Sequence, residues 1–401
     1  MNQPLIIDAL RTPRGRGSDK GSLKGVKPVE LLAQPLRALA ERHALDTAQV
    51  VDGLFGCVTQ TGDQGANLGK MALLQAGWSD AVAGMTINRY CASGLSAVQF
   101  AGWQAMQGEG LAVGGGVEMM SRVPMASDQG PLTHDRDFQR DTALVPIGLA
   151  ADAVATMEGF SRSQCDDYAL ASQQRAAAAL TGGHYRSVVS VQVAGEVLLA
   201  QDETPRPQTS AESLAGLAPA FAAMGEKYGV DALLCQRYGL GRIDHVHHAG
   251  NSPAMADGAS AVLVASPDAA RRLGLTARAR ILSSADCCVD RTLALTGALD
   301  ATRLALKRAG LTPADIDLFE VNESFAALML HYMKHLGIGH DRLNVNGGAI
   351  ALGHAMGATG ASLVGIALDE LERRDQRRAV IAICGAAGLA VAMVVERVVA
   401  A

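Results

Sequence analysis

The sequence predicts an α/β protein that contains one arrangement twice, and three observations carry that expectation. Apolar strand-like runs alternate with helical stretches at βαβ spacing, short apolar strands close on glycines, and the first hundred residues align weakly but in order with the last hundred. At 401 residues the chain exceeds what one hydrophobic core supports, so two or three domains are expected. Hydrophobic residues make up 49% and aromatics only 4%, with 44 glycines, so the interior is expected to be Ala, Val, Leu and Ile in closely layered helices and sheet.

The elements follow in order. A first strand is read at Leu5-Ile6-Ile7. A helical stretch over residues 37–42 leads through Leu45-Asp46-Thr47-Ala48 into the strand Gly53-Leu54-Phe55-Gly56-Cys57; in the second half, residues 301–308 lead through Leu311-Thr312-Pro313-Ala314 into Asp317-Leu318-Phe319-Glu320-Val321. Leu54 lies 37 residues before Cys91 and Leu318 lies 36 before His354, so these two reactive groups hold corresponding places. Each then opens a helix, one through Leu95, Val98, Gln99, Gly102 and Met106, the other through Leu363, Ile366, Ala367 and Leu371. Each helix precedes a strand ending in glycine, at residues 111–116 and 380–385. The spacing predicts parallel sheets covered on both faces and packed about a pseudo-twofold axis, which brings corresponding turns face to face.

Between the halves the pattern loosens, and the division reads as 1–118 for the first half, 119–250 for an inserted loop domain partly returning to it, and 251–401 for the second half. One good helix stands there, opened by Ser161-Arg162-Ser163-Gln164 with capping-box spacing. The polar stretch over residues 202–207 reads as surface loop.

A net charge of −5 and a pI near 6.1 offer no long-range attraction for nucleic acid. The basic group Arg11, Arg14, Arg16, Lys20 and Lys24 is read as a solvated loop. Seven cysteines, an odd number without Cys-x-x-Cys spacing, argue against a disulfide framework. With no export signal and no run of about 18 apolar residues, the expectation is a reducing cytoplasm and no membrane span.

Three reactive side chains sit in glycine-rich turns. Cys91 stands in Asn88-Arg89-Tyr90-Cys91-Ala92-Ser93-Gly94, where a helix start is expected to make its thiol more acidic. His354 stands in a glycine-dense approach from Asn346 to Gly360 and suits proton acceptance from a thiol. Cys384 ends an apolar strand before Gly385-Ala386-Ala387-Gly388, whose amides suit an oxyanion site; a second thiol suits proton removal from a carbon alpha to a carbonyl. Asn322 lies at another strand end and suits holding a water, while Glu323 reads as a first-turn helix carboxylate. The alternating His245, His247 and His248 lack partner spacing for a metal, Cys287-Cys288 reads as core packing, and Gly114-Gly115-Gly116 lacks a dinucleotide fingerprint.

With these motifs in hand, the chain resembles the thiolase family, the acetyl-CoA acyltransferases, over essentially its whole length. Four motifs in order carry the likeness: the Cys91 turn, Asn322-Glu323-Ser324-Phe325, the run from Asn346 to His354, and Cys384. The resemblance implies a thiolase-like α/β/α/β/α core with an inserted loop domain, and cleavage of 3-ketoacyl-CoA by CoA, or its reverse condensation. Cys91 would carry the acyl group after activation by His354, Cys384 would move the alpha proton, and an Asn322-held water and the Ala386 amide would bind oxyanions. Coenzyme A would be a co-substrate with no bound cofactor and no metal, contacted through Ala249, Ser252, Met255, Ser324 and Phe325. The type looks like that of bacterial fatty-acid-oxidation complexes, which implies a homodimer or homotetramer and admits a hydratase/dehydrogenase partner subunit.

Departures from the family pattern are Ala355 in place of proline, Ala386 where three glycines are usual, and Pro253 where a serine commonly meets the pantetheine. They motivate one alternative, a catalytically idle thiolase-like binding or structural subunit. A condensing enzyme of the same fold would carry a histidine where this chain has Asn322.

Overall fold

The computed structural model describes residues 3–108 and 110–399. Its centre is one ten-stranded mixed sheet, ordered Leu318–Val321, Arg378–Cys384, Leu389–Arg397, Ala279–Cys288, Leu5–Arg11, Ala256–Ala265, Leu111–Met119, Val50–Gly56 and Ala83–Ile87, with Gly15–Arg16 paired to the start of Ala256–Ala265. Numbered along the chain, the first five strands stand 3-2-4-5-1 across their half. The second half repeats that order, with a single bridge from Phe319 to Leu343 where its third strand would be. The two first strands meet antiparallel at Leu5–Arg280 and Ile6–Ala279, the junction expected of a pseudo-twofold.

Two expectations are corrected. The sheet is parallel only at its flanks, where Val50–Gly56 pairs with both Ala83–Ile87 and Leu111–Met119 and Leu318–Val321 pairs with Arg378–Cys384. Parallel neighbours need a crossover of a dozen or more residues, whereas Arg378–Cys384 reverses through residues 385–388 straight into its antiparallel neighbour. The strand Ala256–Ala265 lies between Leu5–Arg11 and Leu111–Met119, so the second half starts with Ala279–Cys288 and not at residue 251.

Helices Ser93–Gln107 and Met356–Arg373 form the middle layer, touching strands of both halves and each other. Glycine permits this: a Cβ on Gly94 would lie 2.6 Å from Gly357 O, and one on Gly360 would lie 2.4 Å from Leu95 N. Outside, Pro28–Arg42 buries Leu31, Leu32, Leu36 and Leu39 toward the first half, while Gly297–Ala309 buries Ala298, Ala301, Thr302 and Ala305 toward the second. Each such leucine removed from water contributes about 1.5–3 kcal/mol.

The insertion contains Ile147–Glu158, Arg162–Thr181 with the expected Ser161/Gln164 capping box, a small hairpin of Val191–Val193 with Glu196–Leu199, and five short helices. It is pinned to the core by charges that the sequence reading left in solvent. Arg11 and Asp202 are both buried and pair through two hydrogen bonds of 2.7 and 2.8 Å, and Asp202 also accepts from Arg14 N–H at 2.7 Å. Thr204 donates to Leu352 O at 2.6 Å, two residues before His354. Of the basic group only Arg16, Lys20 and Lys24 are exposed, because Arg11 and Arg14 find carboxylate or carbonyl partners inside.

Candidate active site

The Cys91 turn is strained and held. Tyr90 sits in the left-handed region at φ 49°, its N–H donating to Asn88 Oδ1 at 2.8 Å. Ser93 accepts from Arg89 N–H at 2.7 Å and donates to Tyr90 O at 2.5 Å. Left-handed backbone on a bulky residue costs about 1–3 kcal/mol and persists only where neighbours fix it. Cys91 follows, half-buried, two residues before the helix. Burial pushes its thiol up to about 12, with the fields of Cys384 and Glu118 adding to it. The expected acidification by the helix start is overturned here, since desolvation of a thiolate outweighs a dipole effect of about 1 kcal/mol.

His354 precedes Gly357 by three residues, as Cys91 precedes Gly94, and those two glycines are where the middle helices touch. Gly353 supplies a φ of +82° in space where a Cβ would lie 2.9 Å from Ala256 Cβ, and Arg14 donates to its carbonyl. The imidazole Nδ1 lies 2.9 Å from Thr359 Oγ1, which donates its own proton to Ala355 O at 3.0 Å. The hydroxyl therefore accepts from Nδ1–H, leaving the lone pair on Nε2. Burial, and then the Arg14 charge, push His354 down to about 3, so the ring is a neutral acceptor. The turn needs no proline at 355; the buried Ala355 carbonyl and the Thr359 hydroxyl hold it.

Cys384 is buried at the end of Arg378–Cys384, its Sγ 2.9 Å from Ser324 Oγ. Asn322 Nδ2 donates to that same oxygen at 3.1 Å, while buried Asn322 Oδ1 has no partner. Burial pushes the Cys384 thiol up to about 11, against the lowering effect of the Ser324 bond. The turn after Cys384 abuts the one before Cys91: a Cβ on Gly385 would lie 3.0 Å from Arg89 O. Ala386 has ordinary backbone angles, and the left-handed residue is Ala387 at φ 57°.

Two residues that build the site escaped the sequence reading of their roles. Glu323 is no cap for the following helix. Buried in the core, it accepts from Tyr168 OH at 2.9 Å, Ser172 Oγ at 2.8 Å and Ile350 N–H at 3.0 Å, tying the insertion to the segment before His354. Glu118, passed over entirely, accepts from Val58 N–H, Thr59 N–H, Gln64 Nε2 and Gly357 N–H at 2.8–3.1 Å, and so fixes the start of the His354 helix. A lone acid ending the apolar run Leu111–Met119 was the available signal.

The residues assigned to coenzyme A divide. Met255 is exposed and its backbone bridges to His354; Ala249 is exposed; Ser252 Oγ is buried without a partner. Ser324 turns to Cys384, and Phe325 is buried between the rings of His247 and Phe221 at 5.1 and 6.0 Å. Near the His354 segment, a cleft of about 270 Å³ is lined by Gln173, Arg206, Thr209, Ser213, Leu217 and Gly250. His245, His247 and His248 each meet a carboxylate, Asp152 or Asp166. Among the described residues the group with metal-ligand spacing is instead Glu158, His331 and His335, whose carboxylate also holds Lys334. All seven cysteines are free, Cys288 is exposed and not core, and no single described helix is long and apolar enough to cross a membrane.

A doubled α/β fold that sets two thiols and a neutral imidazole at strand and helix ends defines an acyltransferase working through thioesters. Comparison with known proteins agrees: the family model for the thiolase N-terminal domain matches residues 5–232, and that for the thiolase C-terminal domain matches residues 275–397. A 3-ketoacyl-CoA thiolase of Cronobacter sakazakii is 39% identical over 414 residues, covering 99% of this chain and all of that one. β-Ketoadipyl-CoA thiolases of Pseudomonas putida and Escherichia coli are 36% and 37% identical over 99% of this chain and the whole of theirs. The chain belongs to the thiolase family.

Proposed function

We propose that this thiolase cleaves 3-ketoacyl-CoA with coenzyme A, through an acyl group carried on Cys91. The reading is carried by one observation, the second thiol held in the Asn322–Ser324 corner beside the Cys91 turn. In the first half-reaction His354 Nε2 takes the Cys91 proton as the sulfur bonds to the 3-keto carbon. The C2–C3 bond then breaks, its electron pair passes to C2, and Cys384 delivers its proton there to release acetyl-CoA. In the second, the coenzyme A thiol gives its proton to Cys384 and attacks the acyl group, and the departing Cys91 sulfur recovers its proton from His354. Asn322 Oδ1, buried and without a protein partner, suits a water shared with the thioester oxygen, and the Ala386 amide serves the other oxyanion.

Ser252 Oγ and Met255 line the coenzyme A approach in this reading, Arg206 in the adjacent cleft meets its phosphates, and Phe325 shapes the site from behind. The acyl substrate is a 3-ketoacyl-CoA, with β-ketoadipyl-CoA among the candidates, as the names of the relatives suggest. The strand Ala83–Ile87 is a sheet edge that exposes Met85, and we place a homodimer contact there, in a reducing cytoplasm where free thiols persist. A partner subunit with hydratase and dehydrogenase activities would supply the ketoacyl substrate. The idle-subunit alternative is not favoured, because the relatives that match the whole chain are named as thiolases and both thiolase domains are present. The test is a turnover screen over ketoacyl-CoA chain lengths, read by loss of the magnesium-enolate absorbance. Consumption at some length, abolished by Cys91→Ala, is expected; full activity in that variant, or none at any length, overturns the reading.

A further inference from the structure

The short path from Asn322 to Cys384 has a direction. An amide nitrogen only donates, so the Asn322 Nδ2 bond of 3.1 Å occupies a lone pair of Ser324 Oγ and leaves the one hydroxyl proton for another acceptor. Cys384 Sγ lies 2.9 Å from that oxygen. Both ends are fixed: Asn322 N–H donates to Ala382 O at 3.0 Å on the strand that carries Cys384, and Ser324 N–H donates to Asn322 O at 2.9 Å. Ser324 is 8% and Cys384 2% exposed, so water does not compete for the bond.

We infer that Ser324 is the positioning residue for the second thiol: its hydroxyl donates to Cys384 Sγ, aims the sulfur's own proton away from Ser324 toward the reacting carbon, and steadies the thiolate once that proton has left. The inference rests on the reading of Cys384 as the group that moves the alpha proton. In the condensing direction Cys384 thiolate takes a proton from C2 of acetyl-CoA. An S–H bond forms, the C–H bond breaks, and its electron pair passes toward the thioester oxygen. The Ser324 proton stays on Oγ throughout. A hydrogen bond to a charged sulfur is stronger than one to a neutral thiol, so the hydroxyl favours the form that must accumulate between the two proton transfers.

The experiment follows deuterium entering C2 of acetyl-CoA in heavy water, with acylation of Cys91 by a ketoacyl-CoA measured on the same samples, in the full-length protein and in Ser324→Ala and Ser324→Thr. Loss of the hydroxyl is expected to lower the ratio of exchange rate to acylation rate about tenfold near neutral pH, and to move the limb of the exchange profile that reports thiolate formation up by about one pH unit. Ser324→Thr, which keeps the hydroxyl, restores the ratio. A merely structural serine would lower both rates together with no shift of the profile, and that result overturns the inference. So does an unchanged profile in Ser324→Ala. A parent protein that acylates Cys91 but exchanges nothing, or that does neither, overturns the underlying reading as well.

Discussion

The fourth strand of each half ends near a polar side chain, and the two ends differ in wiring. In the first half Glu118 is buried with four N–H donors and the Cys57 thiol on its carboxylate, reaching from the turn after Val50–Gly56 to the first turn of the His354 helix. In the second half Cys384 is equally buried but has a single hydroxyl against its sulfur. A group whose lone pairs are all engaged is scaffold, because any change of its protonation breaks several bonds at once. A group with one partner and a free side can gain and lose a proton. The repeat thus leaves a buried polar group near the end of each fourth strand, and the number of partners separates structure from chemistry.

The sharpest way to break that comparison is to remove both groups separately. Cys384→Ala is expected to lower thiolysis by about 10³–10⁴-fold while leaving the melting temperature within about 2 °C, since it deletes one sulfur from a small site. Glu118→Ala is expected to do the reverse in kind. Four N–H donors lose their acceptor in the core, at about 1–3 kcal/mol for each left unsatisfied, so thermal or denaturant unfolding should report a loss of several kcal/mol. If Cys384→Ala proves the less stable of the two, the distinction between reagent and scaffold fails.

A smaller effect is expected at the imidazole. Thr359→Val removes the acceptor that keeps the Nδ1 proton in place, and acylation of Cys91 should fall about tenfold with stability changed by less than about 1.5 kcal/mol. The pH profile adds a second check. His354 is held at about 3, so acid removes its acceptor capacity only far below the usual imidazole range. Cys91 is pushed to about 12, so the thiol keeps its proton through neutral pH and gives it up only to His354. The single-turnover acylation rate should therefore be flat from about pH 5 to pH 9, where ordinary imidazole and thiol values would produce two inflections. An inflection near 6.5 would show that His354 is solvated.

What the sequence made legible was the periodic part. The doubling, the two middle helices and the turns of Cys91, His354 and Cys384 follow from spacings of apolar residues and glycines, which are local. Strand direction was misread because the closing turn over residues 385–388 is too short for a crossover, and the alternation alone does not reveal that. The buried pair of Arg11 with Asp202 stands 191 residues apart and reads as surface charge, and Glu323, which gathers donors from Ser172 to Ile350, reads as a helix first-turn carboxylate, because the partners are distant in the chain. The acidity of Cys91 was misjudged for a related reason, since the helix start is visible in the sequence and the desolvation is not.

The smallest expected effect concerns the two left-handed residues flanking the thiols. Ala387 at φ 57° follows Cys384, and Tyr90 at φ 49° precedes Cys91. The side chain costs about 1–2 kcal/mol in this conformation, partly offset by the greater unfolded-state freedom of glycine, about 0.4–1 kcal/mol. Ala387→Gly should thus raise stability by several tenths of a kcal/mol with turnover unchanged. Tyr90→Gly relieves a similar strain, yet it loosens the turn that Asn88 and Ser93 hold against the nucleophile, so stability should rise slightly while Cys91 acylation falls. If both variants keep full activity, the strain at Tyr90 does not aim Cys91, and the hydrogen bonds of Asn88 and Ser93 alone suffice to place the sulfur.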